Sequence, residues 1–382
     1  IGGIIINDGE LNIDGNRPQG SLNFYYTLSL TYPGNLFRMT GGELNITGPT
    51  SLGLVFINSD PQNTSVTGGD VNLDVSDTQD RYKISSRAAF WNLNLTRSST
   101  SAQRNFKVIG GNSGPDSNLA TIQQQDLIIR NMLTLSGPNT PKIEMGTESE
   151  PADLFLYGNL EIDDGCEYIH NRNTTHFVGS STSSLTFGGS TAFPFHNVVV
   201  DKDLDSRKVN IQQTGPNPSM DILGTLSLEN GYFDNNDRNV EIRGNVINRT
   251  QFGDSESTGI LNMRGNSGRQ EILSDNGIFH RLRIDNPDGV SLTNGDVTLK
   301  KELKLDDGSF FIGNHKLRIE STNTDQVENW GTDRLVICSG NASAGGLELL
   351  NHSSTQTLFY PIGVSDGENL KFTWAEIEVN SS

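Results

Sequence analysis

The sequence predicts an all-β fold, a right-handed parallel β-helix in which short strands stack coil upon coil. Apolar and polar residues alternate with period two in short runs such as LRI at 282–284 and VTL at 297–299, which is typical of half-buried strands. Clusters of Asn, Asp and Gly separate these runs, as at 294–296, and they favour turns with positive φ. Related phrases also recur along the chain, and repeats of about 20–50 residues indicate a solenoid or an array.

The first repeated phrase orders the N-terminal coils. It reads DGELNI at 8–13, GGELNI at 41–46 and GGDVNL at 68–73, with intervals of 33 and 27 residues. Unequal spacing argues against a closed propeller and favours coils whose loops differ in length. In such coils Leu, Ile and Val point inward and stack in ladders, while each strand lies about 4.8 Å from the one below.

A second phrase links the middle of the chain to its later part. It begins with Phe and ends with alternating apolar residues, and it occurs as FWNLNL, FHNVVV and FHRLRI at 90–95, 195–200 and 279–284. Further phrases are offset by 77 residues, as Gly231 is from Gly308. We therefore interpret 195–242 and 279–319 as homologous blocks of several strands.

Two regions are predicted. Residues 1–330 should form the parallel β-helix solenoid, in coils of about 20–27 residues. Residues 331–382 hold longer strands and more aromatic residues, and they should form a C-terminal β cap or begin a following β-sandwich domain. The polar segments 97–118 and 136–153 are predicted loops.

The runner-up fold is a string of small antiparallel sandwiches. Few runs in this sequence are joined by a two-residue turn of the hairpin type. The composition also lacks a sustained helical stripe of apolar residues, so we expect almost no helix.

The composition narrows the choice of partners. The net charge is −18, from 46 acidic and 28 basic residues. Nucleic acid is therefore not an expected partner, because neutralising phosphates requires clustered Lys and Arg. No run of 18 apolar residues exists, so we expect no membrane span. Cys166 and Cys338 are read as free thiols or small apolar residues, with one bridge as the alternative.

The candidate chemical sites have simpler structural interpretations. The pairs at 163–164 and 306–307 are Asp-Asp, and two carboxylates can hydrolyse glycosides, but both pairs stand at repeat corners where turns explain them. His196 and His280 hold equivalent positions beside a Phe and should pack there. We predict no catalytic residue, no cofactor and no metal. The remaining candidates are calcium ligands in two turns, and they are Asp201, Asp203, Asp205, Asp234 and Asp237.

The blocks at 279–320 and 335–379 resemble the large repetitive surface and secreted proteins of Bacteroidetes-type bacteria. In those proteins the coils precede a segment carrying Phe-Pro-Val-Gly, and here the matching segment is FYPIG at 359–363, with an inserted Tyr. The resemblance implies a bacterial protein exported by type IX secretion, with adhesive or gliding roles. The chain opens on IGGIII without Met and shows no sorting domain, so we expect it to be a segment of a longer protein.

These features predict an extracellular, cell-surface structural or adhesive repeat protein. Its partners should be cell-surface or polysaccharide ligands, or other copies of itself, because long polar faces suit many weak contacts better than one deep pocket. The alternative is a polysaccharide-degrading enzyme, a lyase or glycoside hydrolase, built on the same parallel β-helix.

Overall fold

The protein is described here by a computed structural model. The structure describes residues 2–14, 28–47, 54–76, 82–100, 106–109, 125–189, 192–213, 219–254, 257–321, 326–339, 345–350, 355–365 and 370–380. Within these ranges every regular element is a strand except the 3-10 turn Pro61–Asn63. The predicted all-β class and parallel β-helix are confirmed. The chain divides into two compact units, Ile1–His196 with Gln212–Asn217, and Asn197–Ile211 with Pro218–Ser382.

The strands of unit 1 are short, mostly of three to seven residues. In chain order they are β1 (Gly3–Ile6), β2 (Glu10–Asp14), β3 (Leu28–Leu30), β4 (Leu36–Thr47), β5 (Leu54–Ile57), β6 (Thr64–Asp74), β7 (Tyr82–Ser86), β8 (Phe90–Thr96), β9 (Phe106–Val108), β10 (Leu127–Ser136), β11 (Lys142–Met145), β12 (Leu154–Leu156), β13 (Asn159–Ile162), β14 (Glu167–Ile169), β15 (Thr174–Gly179), β16 (Ser183–Phe187) and β17 (Phe193–Phe195).

The strands that follow belong to unit 2, apart from the last two residues of β19. They are β18 (Asn197–Lys202), β19 (Lys208–Gln213), β20 (Met220–Ile222), β21 (Leu226–Asn230), β22 (Tyr232–Asp234), β23 (Val240–Ile242), β24 (Val246–Asn248), β25 (Gln251–Phe252), β26 (Leu261–Met263), β27 (Gln270–Ser274), β28 (Gly277–Asp285), β29 (Val290–Thr293), β30 (Val297–Asp307), β31 (Phe310–Gly313), β32 (Lys316–Glu320), β33 (Val327–Glu328), β34 (Val336–Cys338), β35 (Gly346–Leu350), β36 (Thr355–Tyr360), β37 (Ile362–Ser365), β38 (Leu370–Phe372) and β39 (Ala375–Asn380).

Three stacks of parallel strands build unit 1. One stack contains β1 and the first halves of β4 and β6, and later β10, β12 and β15. The second, called the ladder stack, runs through β2, the second halves of β4 and β6, then β8, β10, β13 and β16. The third contains β3, β5, β7, β9, β11 and β14.

The repeated N-terminal phrase coincides with the coil register. Glu10 pairs with Glu43 and Glu43 with Asp70, so the phrases lie directly above one another. The inward positions are apolar, and Leu44 and Val71 are fully buried. The interval between phrases therefore equals the length of a coil.

Unit 2 is also a three-stack parallel helix. Its first stack is β18, β21, β24, β27, β29, β31, β34 and β37. The second is β19, β22, β25, β28, β30, β32 and β35, and the third is β20, β23, β26, the ends of β28 and β30, and β33. Val290 pairs with Phe310, a coil of 20 residues, and Phe310 with Val336, a coil of 26.

The 77-residue offset relates strands on different faces of unit 2. Gly231 follows a strand of the first stack, whereas Gly308 follows one of the third. A shift of 77 residues therefore moves each strand to a neighbouring face. The similarity of the two blocks reflects a common strand-and-corner pattern, and it does not mark a whole number of coils.

Alternation along each strand makes the core. In β28, Phe279, Leu282 and Ile284 are fully buried, while Arg283 points outward. Burying a side chain of this size is worth about 1.5–3 kcal/mol. At one corner Asn294 and Gly295 adopt φ of 59° and 100°, which Asn and Gly tolerate best.

The parallel stacking continues beyond the predicted boundary at residue 330. β34 lies on β31, β35 on β32 and β37 on β34, all parallel. Antiparallel pairing involves β36 with β39 and β37 with β38, so the C-terminal β segment of different character begins at Thr355. Parallel coils therefore lie on both sides of residue 330.

Two predicted loops contain strands of the third stack of unit 1. β9 lies within 97–118 and β11 within 136–153. Strands of three or four residues show too little alternation to stand out among polar neighbours. Residues 101–105 and 110–118 of the first loop lie outside the described residues.

Candidate functional site

The outward face of the ladder stack carries a column of asparagines over four successive coils, and the column ends where Thr134 of β10 pairs with Asn94. We call Asn12, Asn45, Asn72 and Asn94 the polar ladder. The Nδ2 of each of the last three donates to the Oδ1 of the asparagine one coil earlier, at 2.9, 2.7 and 2.7 Å. Asn12 is exposed and the others are half-buried. Since an amide has two donor hydrogens and an oxygen with two lone pairs, each rung keeps hydrogen-bonding capacity for solvent or a ligand.

Polar columns flank the polar ladder on the same face. The register aligns Asp14, Thr47, Asp74 and Thr96 on one side. On the other side Asn92 Nδ2 donates to Asp70 Oδ1 at 2.7 Å. Hydroxyl, amide and carboxylate groups therefore repeat at the spacing of the coils, about 4.8 Å.

Unit 2 contains an open cleft of about 650 Å³. Its uncharged lining side chains are Tyr232, Gln251 and His280. Tyr232 and Gln251 are neighbours in the second stack, and His280 follows the buried Phe279 in the next coil. A Cβ at Gly253 would lie 2.9 Å from the Cβ of His280, so the glycine gives the histidine its room.

Charged side chains complete the lining of the cleft. They are Asp205, Asp254, Lys300, Lys301 and Glu320. The Nζ of Lys300 donates to Glu320 Oε2 at 2.6 Å. The cleft thus combines an aromatic ring with hydrogen-bonding groups that are neutral, negatively charged or positively charged.

His280 is more than a packing residue. It is only 6% exposed and packs beside its Phe, as the sequence predicts, yet it also lines the cleft. Among the described residues its Nδ1 has no hydrogen-bond partner, and its Nε2 lies 3.4 Å from Gln251 Nε2. Burial lowers the pKa of His280, and Lys301 and Lys300 lower it further, although Asp254 opposes them. The ring is therefore mainly neutral at pH 7.

The calcium candidates do not form a cation cage. Asp234 is buried and accepts from Lys208 Nζ at 2.7 Å, so a cation there would have to displace the ammonium. Asp237 is exposed and accepts from the backbone N and Oγ1 of Thr258 at 2.6 and 3.0 Å. Among the described residues no group of three His, Cys, Asp or Glu side chains could hold a metal ion.

The remaining candidates, Asp201, Asp203 and Asp205, lie at or after the end of β18. All three are exposed. Asp205 lines the cleft of unit 2, whereas Asp201 and Asp203 are not among its lining residues. The sequence pattern DKDLD therefore contributes one residue to the cleft.

Of the two Asp-Asp pairs, Asp163 and Asp164 lie at a corner, whereas Asp306 and Asp307 are the last two residues of β30. Asp163 and Asp164 are both exposed in a turn. Asp306 accepts hydrogen bonds from the Arg283 guanidinium and from Asn329 Nδ2. Burial alone would raise the pKa of Asp306, but the bonds from Asn329 and Arg283 outweigh it and the pKa falls. This carboxylate therefore holds neighbouring coils together.

Trp330 and the antiparallel C-terminal segment expose aromatic rings. The Trp330 ring lies 6.3 Å from that of Phe359 and 6.2 Å from that of Phe372. Trp374 is 52% exposed in the same segment. An exposed cluster of this kind is a candidate contact surface.

Both cysteines are free and half-buried. Burial raises the pKa of Cys166 to about 11, helped by Asp163 and Asp164, and burial also raises the pKa of Cys338. Both groups are therefore thiols at neutral pH, and thiols are poor nucleophiles.

Comparisons add no relative from which a function could be transferred. In the described part of the chain, no helix is both long and apolar enough to cross a membrane. No known family model, curated protein or solved structure matches the chain.

Proposed function

We propose that this chain is a structural or adhesive β-solenoid segment of a larger secreted or cell-surface bacterial protein. Its partners are polysaccharides, other surface polymers or further copies of the same protein. The polar ladder is the observation that carries this proposal. It presents identical amide groups coil after coil, and a polymer with repeating hydroxyl groups can contact several rungs at once.

Multiple weak contacts make such a face effective. One net hydrogen bond contributes only about 0.5–1.5 kcal/mol. Several bonds made by one polymer act together, because each bound rung holds the next close to its partner. The pre-formed rungs also limit the entropy lost on binding, since the bonds between Asn45, Asn72 and Asn94 already orient their side chains.

Composition and resemblance support an extracellular location. The net charge of −18 is typical of a soluble surface, and it repels nucleic acid. The resemblance to repetitive Bacteroidetes-type surface proteins supports export by type IX secretion and an adhesive role. The exposed rings of Trp330 and Phe359 offer a second surface for contact.

The second candidate function is a polysaccharide-degrading enzyme. The cleft of unit 2 favours it, because Asp254, Glu320 and His280 lie along one groove. Carboxylate pairs and histidine are the usual acids and bases of such chemistry. We prefer the adhesive function, because the polar ladder can hold a polymer without catalysing any reaction.

The proposal is tested by location and by retention on insoluble polymers. In the source cells, we expect surface proteolysis to remove the protein and fractionation to recover it outside the cytoplasm. The purified chain should be retained on at least one of cellulose, chitin, pectin or alginate without releasing new reducing ends or unsaturated products. A purely cytoplasmic location would refute the proposal, and product release lost in Glu320→Gln would establish the enzyme.

A further inference from the structure

The cleft of unit 2 has the size and lining of a ligand site. Its volume of about 650 Å³ lies within the usual range for small-molecule pockets, about 300–1,000 Å³. Its open form suits a chain that continues past the site at both ends. Side chains from several coils of unit 2 line the cleft. The cleft is therefore a separate feature from the repetitive polar face of unit 1.

We propose that this cleft binds a neutral oligosaccharide, as a discrete site separate from the polar ladder. The inference rests on the proposed function in that both take carbohydrate as the ligand. The inference differs from the proposed function because it states that named side chains of the cleft bind a short stretch of a few sugar residues.

An aromatic ring and amide groups supply the recognition of sugar. The half-buried ring of Tyr232 lies at the cleft, and the C–H face of a pyranose packs on such a ring while the phenol stays in water. Gln251 lies one coil further along the same stack. Its amide can both donate to and accept from sugar hydroxyls.

The cleft floor has unused hydrogen-bonding capacity. His280 is 94% buried, its Nδ1 has no partner in the part of the chain that the structure describes, and its Nε2 is 3.4 Å from Gln251 Nε2. That separation is longer than an ordinary hydrogen bond. The Nδ1 itself has almost no accessible surface, so the unused capacity that a ligand in the cleft can reach is that of the Gln251 amide.

The charges favour a neutral sugar over a polyanion. Asp205, Asp254 and Glu320 supply three carboxylates against the two ammonium groups of Lys300 and Lys301. The ion pair between Lys300 and Glu320, at 2.6 Å, neutralises one ammonium group and one carboxylate. The whole chain carries a charge of −18, which repels an anionic polymer at long range. Sugar hydroxyls can bond to carboxylates and to ammonium groups, whereas the carboxylate of each uronate unit is repelled by the carboxylates of the cleft.

Calorimetric titration of the full chain tests this site. The neutral probes are cellohexaose, xylohexaose, laminarihexaose and mannohexaose, and hexagalacturonate is the anionic probe. We expect at least one neutral hexasaccharide to bind with one-to-one stoichiometry. Lys301→Ala and Tyr232→Ala should each weaken that binding about tenfold, because each removes a direct contact.

Lys304→Ala is the matched control. Lys304 lies on the same strand as Lys301 and pairs with Glu328 at 3.0 Å, but it does not line the cleft. The Lys304→Ala variant should bind the hexasaccharide as the wild type does. Circular dichroism should show that all variants fold. Absence of binding by every neutral probe at millimolar concentration would overturn the inference, as would tighter binding of hexagalacturonate or equal loss in Lys304→Ala.

The polar-ladder variant Asn45→Ala/Asn72→Ala distinguishes this inference from the proposed function. It should bind the hexasaccharide normally, because its changes lie in unit 1. If the wild type is retained on insoluble polymers yet binds no hexasaccharide, the cleft inference fails and the adhesive function stands. If the hexasaccharide binds but the protein proves cytoplasmic, the adhesive function fails and the cleft stands.

Discussion

Replacing Phe310 by alanine is expected to lower the free energy of unfolding by about 3–5 kcal/mol. The ring is fully buried, and Phe310 pairs with Val290 in the coil before it and Val336 in the coil after it. Neighbouring coils hold the backbone on both sides, so the cavity cannot close by local collapse. Urea unfolding followed by circular dichroism measures the loss.

Phe311→Ala is the matched control for that change. Phe311 is the next residue on the same strand but points outward, where the guanidinium carbon of Arg269 lies 3.6 Å from its ring centroid. Its loss should cost only about 1 kcal/mol, the usual value of a partly exposed cation–π contact. Equal effects at the two positions would contradict the inward and outward assignment of the strand.

Replacing Gly308 by alanine is the second change with a large expected effect. Gly308 has a φ of +75°, and an added Cβ would lie 2.0 Å from the backbone oxygen of Asn286. Strained dihedrals alone cost about 1–3 kcal/mol, and here a backbone atom of a buried corner must also move. We expect a loss of about 3 kcal/mol or more in the free energy of unfolding.

Gly268→Ala separates the clash from the dihedral strain. Gly268 has a similar φ of +87°, but no atom of the described residues lies within 4 Å of an added Cβ. Alanine there should cost only about 1–2 kcal/mol, the strain of the left-handed region. A comparable loss at both glycines, measured by the same urea titration, would mean that the coils do not approach closely at Gly308.

The parallel stacking could be predicted from sequence because the repeats are in register. DGELNI, GGELNI and GGDVNL place Glu10, Glu43 and Asp70 in one column, as their alignment suggests. The Phe of the second phrase is buried at residues 90, 195 and 279. Period-two alternation fixes which side faces the core, so the polar ladder was implicit in the repeated Asn.

The coil lengths and the cleft were harder to predict. The 77-residue offset indicates homologous blocks of several strands, but strands with the same pattern can lie on any of the three faces, so the offset does not give the coil length. The cleft joins Asp205, Tyr232 and Lys301, which are far apart in sequence and become neighbours only when the coil lengths are known. The position of His280 beside a buried Phe can indicate a histidine that lines a site. Packing against the Phe explains the same position equally well, so the sequence did not identify His280 as part of the cleft.

The calcium and catalytic candidates show the limit of short acidic motifs. Asp234 and Asp306 lie at the ends of β22 and β30, in Asp-rich sequences that resemble ligand loops. In the structure their carboxylates accept hydrogen bonds from Lys208 and Arg283. Such partners come from neighbouring coils, 20 or more residues away, and a local motif cannot reveal them.

Retention of a graded series of polar-ladder variants tests the central claim most directly. Asn45→Ala, then Asn72→Ala, then Asn94→Ala are introduced cumulatively, and the association constant with the retaining polysaccharide is measured after each step. We predict a stepwise fall of roughly two- to fivefold per rung, because each rung contributes one weak bond. A triple control removes Lys83, Lys107 and Glu144, an outward column of the third stack of unit 1, and should bind as the wild type does. Unchanged retention in the triple ladder variant, or an equal fall in the control, would contradict the claim.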